Sequence, residues 1–190
     1  ELHFLVPVFG NGNYKALYQQ VMEMPQGQVN RHLKTLLDRI VPHYQAGKLK
    51  KNKEDFWAAR AALTYSQKGD VDRGIFSIYF FNLVQLSPGQ AVFQDAGLPH
   101  AYLEGQNVEI MANSDNVLRG GLTPKHVDVP ELLKHLKFEP TIPNLISGKA
   151  ADTGVEGGQT KAPDFELGRI HLKKGQDLQM NSGSVQLFIV

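Results

Sequence analysis

Two hydrophobic periodicities divide the chain. From Asn13 to about Gly74 apolar residues recur at helical spacing. Val29, Leu33, Leu36, Leu37 and Ile40 fall at i, i+4, i+7, i+8 and i+11, which marks one face of a helix. Pro42 is expected to interrupt that helix near its end. Asn52 is placed to cap a second helix, with Phe56, Ala59 and Leu63 on its inner face and Asp55 near its positive end. Gly69-Asp70 closes this run. Aromatics spaced like Phe56, Trp57 and Tyr65 read as core before they read as a sugar-stacking platform. The run Lys48, Lys50, Lys51, Lys53 reads as a solvated loop between helices before a phosphate patch. Residues 75–86 are the most apolar stretch, too short for a bilayer, and suit a buried helix end running into a strand.

Beyond Leu86 the period shortens to two. Ala91-Val92-Phe93 and Val108-Glu109-Ile110-Met111 read as strands, with turns at Ser87-Pro88-Gly89 and Glu104-Gly105-Gln106-Asn107. Asp128 to Leu136 makes a short helix with Pro130 in its first turn, and His126 and His135 beside it read as surface residues. Residues 141–163 are rich in Gly, Pro, Ser and Thr and read as a linker. The Gly-rich run from Gly154 to Gly158 lacks the Gly-Lys-Ser/Thr ending of a phosphate loop. Alternation returns with Phe165, Leu167, Ile170, Leu172, Leu178 and Met180, and continues from Ser184 to Val190. Both termini lie within apolar, strand-like runs, Glu1 to Phe9 and Val185 to Val190, which points to a piece of a longer protein.

Composition narrows the picture. The 190 residues suffice for a real core in one or two domains. A net charge of +1 gives no global field for nucleic acid or an anionic membrane. There is no cysteine, so disulfides and thiolate metal sites are out, which suits a reducing cytoplasm. No signal-peptide pattern or membrane-length apolar run is present, so a soluble protein is expected.

The chemistry concentrates between Leu86 and Lys125. Gly97-Leu98-Pro99 restricts the backbone just before His100, and the carboxylate of Glu109 follows nine residues on. A strand-edge His with a nearby carboxylate suits a metal site in a β-barrel mouth; a hydrogen-bonded structural His is the plainer alternative. Tyr102, two residues on, shares the face of His100 if the segment is a strand. Arg119 can fork toward an oxyanion or phosphate, or pair with Asp115 or Glu109. Lys125 offers a point charge, though a surface Lys after Thr-Pro is common.

Pro99-His100-Ala101-Tyr102-Leu103, then Met111 through Arg119 (MANSDNVLR), then Gly121-Leu122-Thr123-Pro124-Lys125 resemble type I phosphomannose isomerases at the family's own spacing. That family comprises zinc-dependent cupin enzymes interconverting mannose 6-phosphate and fructose 6-phosphate. The resemblance implies a mainly β fold. It would be a cupin jelly-roll barrel with strands from roughly 80 to 125, a helical insertion before them and part of a second β-barrel half. The expected organisation is 1–12 as a strand of the catalytic cupin, 13–74 helical, 75–140 the cupin core, 141–163 linker, and 164–190 the start of the C-terminal half.

By the same resemblance His100 is a Zn²⁺ ligand, and Glu1 aligns with the Glu of the family's Asn-His-Lys-Pro-Glu motif, also a ligand. A solvated terminal carboxylate is the alternative for Glu1. Arg119, Glu109, Tyr102 and Lys125 fall at the family's active-site cleft. The remaining ligands, from a Gln-x-His motif and the His-Lys pair ahead of Glu1, are absent from the sequence. The implied parent is a cytoplasmic, monomeric isomerase of a small sugar phosphate, with no nucleic-acid or membrane partner. A non-catalytic cupin module that binds a sugar or sugar phosphate is the alternative.

Overall fold

The computed structural model describes residues 1–150, 155–157 and 160–190. The Gly154–Gly158 run therefore lies partly outside the described residues. The chain divides into two compact units. The first comprises residues 1–85, 94–107 and 114–143, and the second 86–93, 108–113 and 144–190. The stretch 75–140, read from sequence as one cupin core, is thus shared between both.

The first unit is helical. It opens with a 3₁₀ turn, His3–Leu5, followed by α1 (Val6–Phe9), where a strand was expected. The correction has a local cause and a distant one. Pro7 sits in the first turn of α1, where its missing N–H is harmless. Leu5 is buried, and Phe4 stacks on His32 at 3.8 Å while meeting Phe76 edge-on. The Asn13 side chain caps α2 (Tyr14–Met22) by accepting from the Ala16 amide.

α3 (Gln26–Gln45) buries Val29, Leu33, Leu36 and Ile40, the face read from the sequence, with Leu37 at its margin. It does not stop at Pro42 but runs three residues further, the Ala46 amide bonding back to the Pro42 carbonyl. A proline so near the end removes one hydrogen bond and leaves the buried face intact. α4 (Glu54–Tyr65) follows, with Lys53 rather than Asn52 at its N-cap position and no side-chain cap. Its inner face is Trp57, Ala58, Ala61 and Ala62 with Ala59, while Leu63 is 52% exposed. The alanines let α4 approach its neighbours closely, so the larger Leu63 is left outside. Trp57 is core, as read, and its indole N–H donates to the Lys51 carbonyl at 2.7 Å. α5 (Ile75–Phe80) buries Ile75, Phe76 and Ile78, and ends in an extended residue.

The second unit begins with the expected turn: Gly89 has φ +85° and the Gln90 amide bonds to the Ser87 carbonyl. β1 (Gln90–Val92) follows. In chain order α6 (Val129–His135) comes next and belongs to the first unit, capped by Asp128, which accepts from the Glu131 amide. β1 pairs antiparallel with β2 (Leu145–Ser147), Ala91 opposite Ile146. A three-stranded antiparallel sheet joins β3 (Lys149–Ala150), β4 (Val155–Gly157) and β5 (Gly168–Ile170). Strands therefore occupy part of the expected linker. Val108–Met111, expected as a strand, is irregular, with Val108 and Met111 more than half exposed. Regular structure among the described residues is mostly helical rather than mainly β, and the strands are two or three residues long. The period-two pattern near the C-terminus still sorts side chains: Ile170, Leu172, Leu178, Met180, Gln186 and Phe188 line one open groove of about 410 Å³.

Candidate active site

Five of the six residues singled out from sequence belong to the helical unit: Glu1, His100, Tyr102, Arg119 and Lys125. Glu109 belongs to the second unit and is exposed.

The segment carrying His100 is tacked down at both ends. The Gly97 carbonyl accepts from the Lys137 amide at 3.0 Å, and a Cβ on Gly97 would lie 2.7 Å from the His135 carbonyl oxygen. At the other end the Glu104 carboxylate bridges Lys51 and Arg60, and Arg60 itself lies over the Trp57 ring. Both cations hold the Glu104 carboxyl below the usual carboxylate range, Lys51 most strongly. His100 is exposed, with its Nδ1 2.9 Å from the Leu98 carbonyl. A carbonyl only accepts, so in the neutral tautomer that makes this bond Nδ1 carries the proton and Nε2 keeps its lone pair for an incoming group. The Tyr102 ring meets the His100 ring edge-on at 6.0 Å, so the two do form one patch.

The segment from Arg119 to Lys125 is held by its backbone. A Cβ on Gly120 would sit 2.5 Å from the Tyr18 hydroxyl, whose burial pushes its pKa up to about 12. A Cβ on Gly121 would sit 2.6 Å from Gly74 Cα, so two main chains are in direct contact there. Asp72, ahead of α5, accepts the amides of Gly74 at 2.7 Å, Leu122 at 2.9 Å and Thr123 at 3.4 Å. Sequence reading missed this residue; the only signal was the Gly120-Gly121 pair, which demands a close neighbour without naming it. Arg119 is half-buried, and no ion pair with Asp115 forms among the described residues. Lys125 is exposed, after a turn in which its amide bonds the Thr123 hydroxyl.

Glu1 is neither frayed nor free. Both carboxylate oxygens accept from Arg39, at 2.8 and 2.9 Å, and this pairing holds its carboxyl below the usual range. Arg39 also binds Asp55, which in turn accepts from the Tyr79 hydroxyl at 2.7 Å. The donors present do not complete a zinc centre: Glu1 is engaged by Arg39, and no group of three or more His, Cys, Asp or Glu able to hold a metal occurs among the described residues. No helix among the described residues is long and apolar enough to cross a membrane.

Comparison with known proteins adds a consistent set of relatives. No family profile matches the chain. It is 59% identical over 69 residues to mannose-6-phosphate isomerase of Salmonella typhimurium, covering 36% of this chain and 18% of that protein. With mannose-6-phosphate isomerase of Homo sapiens it shares 41% over 127 residues, 67% of this chain and 29% of the relative. A crystal structure of an arginine-to-alanine mutant of phosphomannose isomerase from Salmonella typhimurium matches with a TM-score of 0.67 at 31% identity, over 86% of this chain and 40% of that one. The apo form from the same organism matches with a TM-score of 0.64 at 30% identity, over 86% and 43%. The chain thus spans less than a third of the curated relatives' length and under half of the solved structures.

Proposed function

We propose that this chain, a homologue of part of mannose-6-phosphate isomerase, supplies substrate-handling residues to an enzyme that interconverts mannose 6-phosphate and fructose 6-phosphate. The observation that carries the reading is 41% identity across 127 residues with a curated isomerase, a span longer than any single motif. A cupin-type barrel in the whole protein is consistent with the likeness to solved phosphomannose isomerases.

Aldose–ketose isomerisation moves a proton from C2 to C1 through an enediol(ate). The protein must stabilise negative charge on oxygen, move the proton and grip the phosphate. In this reading the Arg119 guanidinium stabilises the enediolate oxygens, since it stays charged and half-desolvated. Lys125 meets the phosphate as a mobile point charge on the same fixed segment. Tyr102 hydrogen-bonds the sugar beside His100. Zinc is the cofactor that resemblance implies, and when bound it acts as a Lewis acid. His100 would serve it through Nε2, whereas Glu1 would first have to leave Arg39. In this reading the protein acts in the cytoplasm as a monomer on a small sugar phosphate, without nucleic-acid or membrane partners; the near-zero net charge supports the absence of a polyanionic partner.

The test is conversion of mannose 6-phosphate by the whole protein, with added zinc and with a chelator. Zinc-dependent formation of fructose 6-phosphate is expected. Saturable binding without conversion under both conditions would replace the enzyme with a non-catalytic sugar-phosphate module.

A further inference from the structure

We propose that Asp72 is the positioning residue for Arg119 and Lys125, fixing the segment that carries them through its grip on the Leu122 and Thr123 amides. The inference rests on the isomerase reading and adds to it a residue nearly fifty positions away in sequence.

Three independent features converge on this contact. Asp72 Oδ1 first bonds the Gly74 amide at 2.7 Å, which locks its own side chain in a local turn. The same oxygen then accepts the Leu122 amide at 2.9 Å, while Oδ2 lies 3.4 Å from the Thr123 amide. Second, Leu122 has φ +53°, a left-handed conformation that a leucine adopts only where its surroundings hold it. The strained residue is the one whose amide the carboxylate holds. Third, the main chains touch: a Cβ on Gly74 would lie 2.7 Å from the Leu122 nitrogen, and one on Gly121 would lie 2.6 Å from Gly74 Cα. Two glycines and one carboxylate therefore specify a single path for residues 119–125. Arg119 enters this turn and Lys125 leaves it, so the placement of both charges follows from the turn.

Positioning and mere stabilisation make different predictions. In the whole protein, Asp72→Ala is expected to lower kcat about 10- to 100-fold and to raise KM, because a displaced Arg119 loses a contact made in the transition state and a displaced Lys125 loosens its hold on the phosphate. Asp72→Asn, which keeps one acceptor oxygen, should retain more of the rate. Asp72→Ala combined with Arg119→Ala should lower kcat little further than Arg119→Ala alone, since the effect of Asp72 on kcat runs through Arg119, while KM still rises through Lys125. On the chain itself, amide hydrogen exchange at Leu122 and Thr123 should accelerate in Asp72→Ala while the amides of α3 stay protected. A kcat within twofold of wild type in folded Asp72→Ala protein, or fully additive rate losses, would overturn the proposal. So would unchanged exchange at both amides. Were the wild-type protein to convert no mannose 6-phosphate, the isomerase reading would fall, and the exchange measurement would still decide whether Asp72 holds the segment.

Discussion

Gly121→Ala tests the backbone contact beneath the candidate site, and its magnitude can be assembled from two terms. Gly121 has φ +118°, and holding a residue with a Cβ there costs ~1–3 kcal/mol. The new methyl would also lie 2.6 Å from Gly74 Cα and 2.7 Å from its nitrogen, main-chain atoms that cannot rotate aside. Overpacking of this kind costs a further ~1–3 kcal/mol. The sum, about 2–6 kcal/mol, is a large share of the ~5–15 kcal/mol that holds a typical domain folded. Two controls separate the terms. Gly105 has φ +123° with nothing within 4 Å of its Cβ position, so Gly105→Ala should show the conformational cost alone. Gly74 has φ −59°, so Gly74→Ala should show the steric cost alone. Urea denaturation reads all three as shifts in midpoint at constant slope. Gly121→Ala should exceed each control by at least ~1 kcal/mol, and combining it with Gly74→Ala should give less than the sum, since both spread the same contact. A Gly121→Ala no more costly than Gly105→Ala would mean that the two main chains do not touch.

Other consequences can be checked alongside. Leu33 is fully buried on α3, and Leu33→Ala should cost about 3–5 kcal/mol in the same denaturation experiment, against under ~0.5 kcal/mol for an exposed change such as Lys34→Ala. The carboxyls of Glu104, Glu1 and Glu131 are all held below the ordinary 4.5 by cationic partners. Their contribution is therefore present above that value and lost as pH falls through the depressed values, so thermal stability should drop below about pH 4.5. Glu104→Gln should flatten part of that acid slope, and 1 M salt should do the same by screening exposed pairs; an unchanged slope in both cases would leave the pairs without a role in stability. In the whole protein, His100→Ala should lower bound zinc and turnover together, and retained zinc with full turnover would remove it as a ligand. Arg119→Ala should keep the metal and lower turnover ~10²- to 10³-fold; an unchanged rate would reduce it to a structural residue.

What the sequence disclosed follows the range of the interactions involved. The buried face of α3 was legible because helical periodicity is local, and the Ser87-Pro88-Gly89 turn because proline and glycine fix their own φ. Asn52 looked like a cap by residue type, yet the chain enters α4 one residue later, after a turn in which the Lys53 amide bonds the Lys50 carbonyl. The first nine residues read as a strand from their apolar run. They wind into helix because Pro7 suits a first turn, while Leu5 is buried and Phe4 packs on His32 and Phe76. The site divides in the same way. His100 and Tyr102 are close in sequence and their rings meet, and Arg119 and Lys125 lie on one short segment. Asp72 and the Arg39 partner of Glu1 were not legible, since nothing local in an aspartate or an arginine announces a partner roughly forty or fifty residues away.

The central claim is an aldose–ketose isomerisation, and the most direct measurement is conversion of mannose 6-phosphate in D₂O followed by ¹H and ¹³C NMR. The account predicts fructose 6-phosphate carrying solvent deuterium at C1, because the proton removed from C2 passes through a group open to exchange. Protein that binds the sugar phosphate and returns it with no ketose formed, with zinc supplied, would contradict the account.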